Sequence, residues 1–276
     1  MFDYPVLPAN LRDHVLRYLG LHSVKPGTQA LNGLISAYVQ KVPWESASRI
    51  AKRSRTPTLA ERPRWPEEFW ADALAKGMGG TCFESNYAFM ALLGSLGYEG
   101  YLTINNMGES IGCHTAIILF LKGEKRLVDV GIPLHKSLPL RTVQTLRIPS
   151  YFHTYIVRPT GEQQYEIERT NHPKRNIFTL IDHPVSDLCY RTATTQDYGE
   201  HGLFLDRVLI NKVIDGKIWR FSSRERPLQL EAFDRRSKTE ILLPENLLAR
   251  RLASYFGMDR TIIQDALALV SKSTED

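Results

Sequence analysis

The stretch GGTCFESN, residues 79–86, places a tight turn directly before a helix. Two adjacent glycines permit a close approach of the backbone. Thr81 followed by Glu84 has the spacing of a capping box ahead of an apolar run. The pattern therefore predicts Thr81 as the N-cap and Cys82 as the first helical residue. The helix that follows, as far as Leu96, is apolar nearly all round, so we expect it to be buried.

Cys82 is a candidate nucleophile because of its position in this helix. A thiol at a helix N-terminus lies at the positive end of the helix dipole, which favours thiolate over thiol. The thiolate is the nucleophilic form of cysteine. A lone free cysteine is more often a small buried hydrophobic residue, and on this evidence alone both interpretations remain open.

Length, charge and cysteine usage set the broad limits. The 276 residues can bury a sizeable core and form two or three subdomains. A net charge of +5 suits an anionic ligand, but no basic helix or aromatic stacking motif indicates nucleic acid. The three cysteines form no CxxC pair, so neither a disulfide framework nor a structural zinc site is predicted. The absence of a signal-peptide pattern and of a long apolar run predicts a cytoplasmic protein.

Hydrophobic periodicity predicts a helical first third and a strand-rich middle. Helices are expected at residues 10–20, 28–42, 66–77, 82–96, 244–256 and 259–270. Strands are expected at residues 101–105, 114–121, 126–131, 151–158, 165–168, 188–194, 204–213 and 217–221. Residues 49–64, with six basic residues against one acid, are expected to form a solvated loop, and phosphate binding is the second interpretation.

Two further residues complete a candidate catalytic group. A thiolate nucleophile needs a base and a third group that orients the base. His114 opens a predicted strand, and Asp129 follows 15 residues later in the apolar context of a return strand, where burial is unfavourable unless it is paired. If the turn is centred on Gly123-Glu124, Asp129 faces Ile118 and lies roughly 13 Å from His114. A bulge, a strong twist or a shifted register must then bring the two together.

These segments, in this order, resemble the arylamine N-acetyltransferase family. That family has an (R)GGxCFExN segment, a later His that begins a strand, and an (L)VDVG segment, which here is residues 127–131. The upstream VPWE at residues 42–45 resembles its PFEN element. The resemblance covers residues 10–135 in order and is less clear beyond them.

The resemblance implies an α+β fold with a core of the cysteine-protease and transglutaminase type. A helical bundle over residues 1–97 would carry the catalytic cysteine. A central antiparallel β-barrel-like domain over residues 98–213 would carry the histidine and the aspartate, and an α/β lid would span residues 214–276.

The resemblance also implies a Cys-His-Asp triad of Cys82, His114 and Asp129. It implies a ping-pong mechanism in which acetyl-CoA, or another acyl-CoA, acylates the thiolate and an arylamine, hydrazine or related amine takes the acyl group. The expected partners are therefore an acyl-CoA co-substrate and a small aromatic amine, with no metal, nucleic acid or membrane. The physiological acceptor, the acyl-chain preference and the oligomeric state are left open.

The sequence departs from the family pattern at supporting positions. Met78 stands where the family has Arg before the two glycines, and Ser46 stands where PFEN has Asn. Glu45 thereby loses two usual companions and needs others. Ile132-Pro133 stands where the family has Phe-Gly, at a position where an aromatic side chain is expected to line the acceptor pocket. The triad positions themselves are kept.

Three alternatives remain at this point. The same triad suits an amide synthase, a transglutaminase-like enzyme or a cysteine peptidase. A non-catalytic binding protein could also retain the fold. A metal site formed by Cys82, Cys113, His114 and His135 is the third, but adjacent residues of a strand point to opposite faces, which disfavours Cys113 with His114 as ligands.

Overall fold

The N-terminal part of the chain folds around the helix that begins at Cys82. The computed structural model describes residues 3–132, 134–150, 152–170, 175–200, 202–234 and 237–272. The N-terminal elements are α1 (Ala9–Tyr18), α2 (Thr28–Lys41), the short strand β1 (Trp44–Glu45), α3 (Ala47–Arg55), α4 (Pro66–Lys76) and α5 (Cys82–Ser95). Residues 82–93 of α5 are all buried, because α1 and α4 pack against it and a sheet covers the remaining side. The predicted buried helix is confirmed.

The central part forms a barrel-like antiparallel sheet. Its strands are β2 (Glu99–Met107), β3 (Ser110–Leu121), β4 (Glu124–Val128), β5 (Leu138–Pro139), β6 (Leu146–Pro149), β7 (Thr154–Gly161), β8 (Gln164–Arg169) and β9 (Asn176–Ile181). They lie in the order β5-β4-β3-β2-β9-β8-β7-β6. Helix α5 packs on β2 and β3, and the apolar run at residues 116–119 is fully buried. A continuous apolar run of this kind is typical of a strand covered on both faces.

The C-terminal part adds a second sheet that reaches back to the N-terminal helices. Its elements are α6 (Asp187–Gln196), β10 (Leu209–Ile214), β11 (Lys217–Ser222), β12 (Gln229–Phe233), β13 (Lys238–Leu242), α7 (Leu248–Phe256) and α8 (Arg260–Lys272). The sheet order is β1-β10-β11-β12-β13, and α8 packs against α3. The predicted α+β class is confirmed. The three-domain division stays a prediction, and β10 crosses its boundary between residues 213 and 214.

Two predicted segments have a different structure. Residues 47–55, assigned mostly to a basic loop, form helix α3, whose buried face includes Ala47, Ile50 and Ala51. Residues 188–194, predicted as a strand from their aromatic and β-branched content, lie in helix α6. The Ser186 side chain caps α6 by accepting a hydrogen bond from the Cys189 N–H at 3.3 Å. Capping and a buried face together outweigh the strand propensity of this segment.

The turn between β3 and β4 is tighter than predicted. Lys122 and Gly123 both have positive φ angles, 51° and 78°, as in the two-residue turns that suit the twist of a hairpin. Leu121 therefore pairs with Glu124 rather than with residue 126. The register moves by two residues, so the chain leaving β4 passes closer to the start of β3.

Some predicted features concern residues outside those that the structure describes. Pro133, residue 151 at the start of a predicted strand, and residues 273–276 of the predicted polar tail are among them. Across the described ranges, no helix has the length and the apolar character that crossing a membrane requires.

Candidate active site

Cys82 begins α5, and its surroundings leave little room. The residue is 5% exposed. A Cβ built on Gly131 would lie 2.7 Å from the Cys82 Cβ, so the chain after β4 passes directly over the nucleophile candidate. A Cβ built on Gly79 would lie 1.7 Å from the Pro43 carbonyl oxygen. Glycine at these two positions is therefore required by close backbone approach.

Thr81 is the N-cap residue, as predicted, but the predicted capping-box hydrogen bonds are wrong. In the part of the chain that the structure describes, the Thr81 side chain makes no capping bond to α5. Its Oγ1 accepts a hydrogen bond from Arg49 at 2.9 Å. Glu84, the other half of the predicted box, is bound by Arg64 and Tyr198. The helix begins where the sequence predicts, with its first turn held by long-range partners.

His114 and Asp129 meet despite the gap expected from the sequence. The His114 Nε2 lies 2.7 Å from the Asp129 Oδ2, and the two side chains are 3% and 0% exposed. The register shift at the β3–β4 turn supplies one part of the approach. With this shift, the strand that leads to Asp129 pairs with β3 two residues closer to His114 than expected. The chain leaves β4 after Val128, which supplies the rest.

The Asp129 carboxylate is held by three further donors on its other oxygen. The Oδ1 accepts hydrogen bonds from the Gly131 N–H at 2.8 Å, the Ile132 N–H at 3.1 Å and the Asn86 Nδ2 at 3.2 Å. Asn86 also accepts from the Val130 N–H at 3.0 Å. Together these bonds fix the position of the carboxylate and of the loop after it. Asn86 lies one helical turn after Cys82, so α5 positions both the sulfur and the acid.

The His114 ring is held by the acid, and Cys82 adds to the charge around it. Its Nε2 lies against the Asp129 carboxylate, and interaction with the Cys82 side chain is one of the causes that raise the pKa of His114. Burial lowers the pKa of His114, but the Asp129 carboxylate, with a smaller contribution from Cys82, outweighs burial and raises it to about 10. This direction favours the imidazolium form of His114. The Phe178 ring, with its centroid 4.6 Å from that of His114, packs against the imidazole.

A second polar chain links α6 to the start of α5. Thr115 donates to the Cys82 carbonyl oxygen at 2.9 Å. Tyr190 on α6 donates to Thr115 Oγ1 at 3.0 Å and lies 2.9 Å from the Phe83 carbonyl oxygen. All of these groups are buried. Sequence reasoning missed Thr115 and Tyr190, and Asn86 stood in the motif without a role. The four-residue spacing of Asn86 from Cys82 was the available signal.

Glu45, which was predicted to need new partners in place of the usual residues of the family, has hydrogen-bond partners in this structure. The Glu45 carboxylate accepts hydrogen bonds from the Ser48 N–H at 2.9 Å and the Gly79 N–H at 3.2 Å. Burial raises the pKa of Glu45, and nearby Arg64 partly offsets this. Ser46 instead binds the Arg207 carbonyl oxygen at 2.8 Å. Met78 is fully buried in an apolar cluster with α7 and α8. Because its side chain is uncharged, it does not form an ion pair with Glu45.

Two of the six basic residues at 49–64 are not solvated. Arg49 and Arg64 are 0% and 2% exposed. The Arg49 Nη2 lies 2.6 Å from the Asp197 carboxylate, and the Arg64 Nη2 lies 2.6 Å from the Glu84 carboxylate. The expectation of a solvated surface is wrong for these two. Their partners also exclude them as free sites for a phosphate.

The metal-site alternative finds no support among the described residues. No group of three or more His, Cys, Asp or Glu side chains in the described ranges is placed to hold a metal ion. Cys113 is half-buried, and its sulfur lies 3.2 Å from the Ser110 carbonyl oxygen. His135 packs on Phe152, with ring centroids 4.6 Å apart.

A groove of about 900 Å³ lies in the C-terminal region, away from the Cys82 cluster. Its walls come from α7, α8 and the segment between β11 and β12, with Arg226, Arg250 and Arg260 among the lining side chains. Cys82, His114 and Asp129 are not among the residues that line this groove.

A cysteine at a helix N-terminus beside a buried His–Asp pair is an arrangement that enzymes with a thiol nucleophile use. The chain belongs to the N-acetyltransferase family, whose family model matches residues 28–261. The enzyme is therefore an acyltransferase with an amine as acceptor, and the resemblance stated from the motifs is confirmed. No curated protein matches the sequence significantly.

Solved arylamine N-acetyltransferases share the fold over nearly the whole chain. The Bacillus cereus enzyme, described with a Cys-His-Glu catalytic triad, is 18% identical, with a TM-score of 0.75 over 91% of this chain and 100% of its own. The Mycobacterium marinum enzyme in complex with CoA is 17% identical, with a TM-score of 0.77 over 92% and 97%. The Salmonella typhimurium enzyme is 15% identical, with a TM-score of 0.78 over 95% and 99%.

Proposed function

We propose that Cys82, His114 and Asp129 carry out acyl transfer from acetyl-CoA, or another acyl-CoA, to an arylamine, a hydrazine or a related amine. The observation that carries the proposal is the 2.7 Å contact between His114 and Asp129, made beside a cysteine at the first position of a buried helix. The CoA complex of the related M. marinum enzyme supports a CoA thioester as donor.

In the first half-reaction, the Cys82 thiolate attacks the carbonyl carbon of the thioester. The His114 imidazolium gives its proton to the departing CoA sulfur, so the products are acyl-Cys82, neutral His114 and CoA thiol. The first N–H groups of a helix have no partner within it. Those of α5 are therefore suited to hydrogen-bond the oxyanion that forms on the carbonyl oxygen.

In the second half-reaction, the amine nitrogen attacks the acyl-Cys82 carbonyl carbon. His114 takes the proton that the nitrogen loses, and the Cys82 thiolate departs, which regenerates the starting imidazolium–thiolate pair. Asp129 holds the His114 Nε2 throughout, which leaves the other ring nitrogen to exchange protons in both half-reactions. Three donors on the Asp129 Oδ1 keep the carboxylate in place.

The acceptor side differs from the family pattern, so we propose the amine class and leave the individual amine to experiment. Ile132, where the family has Phe, is mostly buried beside the Asp129 loop. An aliphatic side chain offers less flat surface for stacking than an aromatic one. We therefore expect weaker discrimination for aromatic over aliphatic amines than an aromatic residue at this position gives.

The proposal extends to the compartment. Cys82, Cys113 and Cys189 are free thiols, and thiols stay reduced in the cytosol, where disulfides are rare. The cytoplasm is the location that we propose.

A donor–acceptor matrix tests the proposal. Purified protein is assayed with acetyl-, propionyl- and malonyl-CoA against an arylamine, a hydrazine and an aliphatic amine, and separately with a peptide amide. We expect turnover with at least one pair of CoA thioester and amine, with parallel lines in double-reciprocal plots as a ping-pong mechanism requires. Hydrolysis of the peptide amide without turnover of any thioester would contradict the proposal and support a peptidase.

A further inference from the structure

Arg64 joins the turn before Cys82 to the helix after it. It lies in the connection between α3 and α4 and is buried. Its Nη2 lies 2.6 Å from the Gly79 carbonyl oxygen and 2.6 Å from the Glu84 Oε2. Its own backbone N–H donates to the Glu84 Oε1 at 2.9 Å. One residue thus binds both sides of the nucleophile candidate.

The second glycine of the turn is explained by this ion pair. A Cβ built on Gly80 would lie 2.8 Å from the Glu84 Oε2 and 3.1 Å from the Arg64 Nη2. A side chain at residue 80 would therefore push the Arg64–Glu84 pair apart. The ion pair therefore requires a glycine at residue 80, and the turn that contains this glycine leads directly into Cys82.

The pair also determines the charge in the first turn of α5. Glu84 is two residues after Cys82 in the first turn of α5 and is 1% exposed. Burial raises the pKa of Glu84, but Arg64 outweighs burial and lowers it, so the carboxylate is charged. Without Arg64, an uncompensated buried anion would stand in the same helical turn as Cys82, and a like charge in that turn disfavours a thiolate.

The other charged or titratable groups around Cys82 come from each element packed on it. They are Arg49 on α3, His114 and Cys113 on β3, Asp129 after β4, and Tyr190 on α6. Arg49 is already engaged by Asp197 and Thr81. Arg64 thus forms the direct ion pair with Glu84, and Arg49 makes a smaller contribution to the lowered pKa of Glu84.

We propose that Arg64 is a positioning residue for the nucleophile: it clamps the Gly79–Gly80 turn to Glu84 and thereby fixes both the place and the charge environment of Cys82. It supplies a guanidinium close to the catalytic turn, which Met78 at the usual arginine position does not. The inference rests on the proposed function only in taking Cys82 as the nucleophile.

Three variants test the proposal: Arg64→Met, Arg64→Lys and the double variant Arg64→Met with Glu84→Gln. Arg62→Met is the matched control, because the Arg62 guanidinium binds the carbonyl oxygens of Thr56, Pro57 and Tyr198 and not the catalytic turn. The readouts are kcat and KM for acyl transfer, the pH profile of Cys82 alkylation by iodoacetamide, and thermal stability.

We expect Arg64→Met to lower kcat about 100-fold, as small displacements of a reacting group do, with a smaller change in KM. Its alkylation profile should move to higher pH. The double variant should recover the alkylation profile, because the uncompensated anion is removed, but not kcat, because the clamp is still missing. Arg64→Lys, with one cationic group in place of the guanidinium fork, should keep the alkylation profile and lose part of kcat. Arg62→Met should resemble wild type.

Unchanged kcat and an unchanged alkylation profile in Arg64→Met, with only a lower melting temperature, would overturn the proposal and leave Arg64 a structural residue. If Arg64→Met does not fold, Arg64→Lys decides: wild-type kcat in that variant would overturn the clamp. Failure of the proposed function is separable. Wild-type protein that turns over no acyl-CoA would contradict the proposed function, while the alkylation profiles would still test Arg64.

Discussion

Gly131 lies so close to Cys82 that a Cβ on residue 131 would come within 2.7 Å of the Cys82 Cβ and 3.2 Å of the Asp129 Oδ1. The backbone after β4 thus serves two purposes. It carries the acid that orients His114, and it forms a wall against the nucleophile candidate. The Cys82 Cβ is attached to the backbone and the Asp129 Oδ1 is held by three hydrogen bonds, so neither can move away without moving the site.

The Gly131→Ala variant tests this contact. The added methyl must displace the start of α5 or the Asp129 loop, so we expect kcat for acyl transfer to fall by about 100-fold, as for other small misplacements of reacting groups. Gly33→Ala is the control, because a Cβ there meets nothing within 4 Å. It should leave kcat unchanged and raise stability by up to about 1 kcal/mol, the difference between the two residues in a helix. Wild-type kcat in Gly131→Ala would contradict the close approach.

Asp129→Asn separates the charge of the acid from its shape. The amide oxygen can still accept from Gly131 and Ile132, but the amide nitrogen faces the His114 Nε2 and cannot accept its proton. We expect kcat to fall by about 10²- to 10⁴-fold, the range that general acid–base catalysis contributes, with the circular dichroism spectrum unchanged. Near-normal kcat would remove Asp129 from the mechanism.

Asn86→Leu tests the connection between α5 and the acid. The change leaves the buried Val130 N–H without its partner and removes one donor from Asp129. We expect a loss of about 2–4 kcal/mol in the free energy of unfolding, since each unsatisfied buried group costs about 1–3 kcal/mol. We expect kcat to fall about 10-fold in protein that remains folded at the assay temperature. Chemical denaturation and kinetics check the two effects, and a folded variant with unchanged kcat would show that Asn86 only stabilises the fold.

The raised pKa of His114 predicts a pH-dependent contribution to stability. Its ordinary value of 6.5 rises to about 10 in the folded protein, so the folded state binds this proton more tightly than the unfolded state. The stabilisation is complete below the ordinary pKa and is lost as pH rises through the folded value. The difference in unfolding free energy between wild type and His114→Gln should therefore be larger near pH 6 than above about pH 10.

Urea denaturation at the two pH values measures this difference. His14→Gln, on the exposed side of α1, is the control and should show little difference from wild type at either pH. An equal difference between wild type and His114→Gln at both pH values would contradict an imidazolium held by Asp129.

Local signals in the sequence were sufficient for the central helix and for its start. Helix α5 is apolar on nearly all sides, and Cys82 follows a threonine that takes the N-cap position. The sequence suggested that His114 pairs with Asp129, but it did not fix the distance between the two side chains. That distance depended on the position of the β3–β4 turn. A shift of two residues in register decided it.

The charges around the site could not be predicted, because their partners are distant in the sequence. Arg49 pairs with Asp197, and Arg64 pairs with Glu84. A run of basic residues is usually solvated, and only the tertiary fold brings carboxylates to these two. Helix α6 was mistaken for a strand for a related reason, since burial of Tyr190 and Thr194 on one helical face outweighed local propensity.

Intact-mass analysis after mixing the protein with acetyl-CoA, without an acceptor amine, tests the central claim most directly. We predict one added acetyl group per chain, mapped by peptide mass spectrometry to Cys82, absent in Cys82→Ser, and discharged when an arylamine or hydrazine is added. Acetylation of Cys113 or Cys189 instead, or an adduct that persists in Cys82→Ser, would contradict the account.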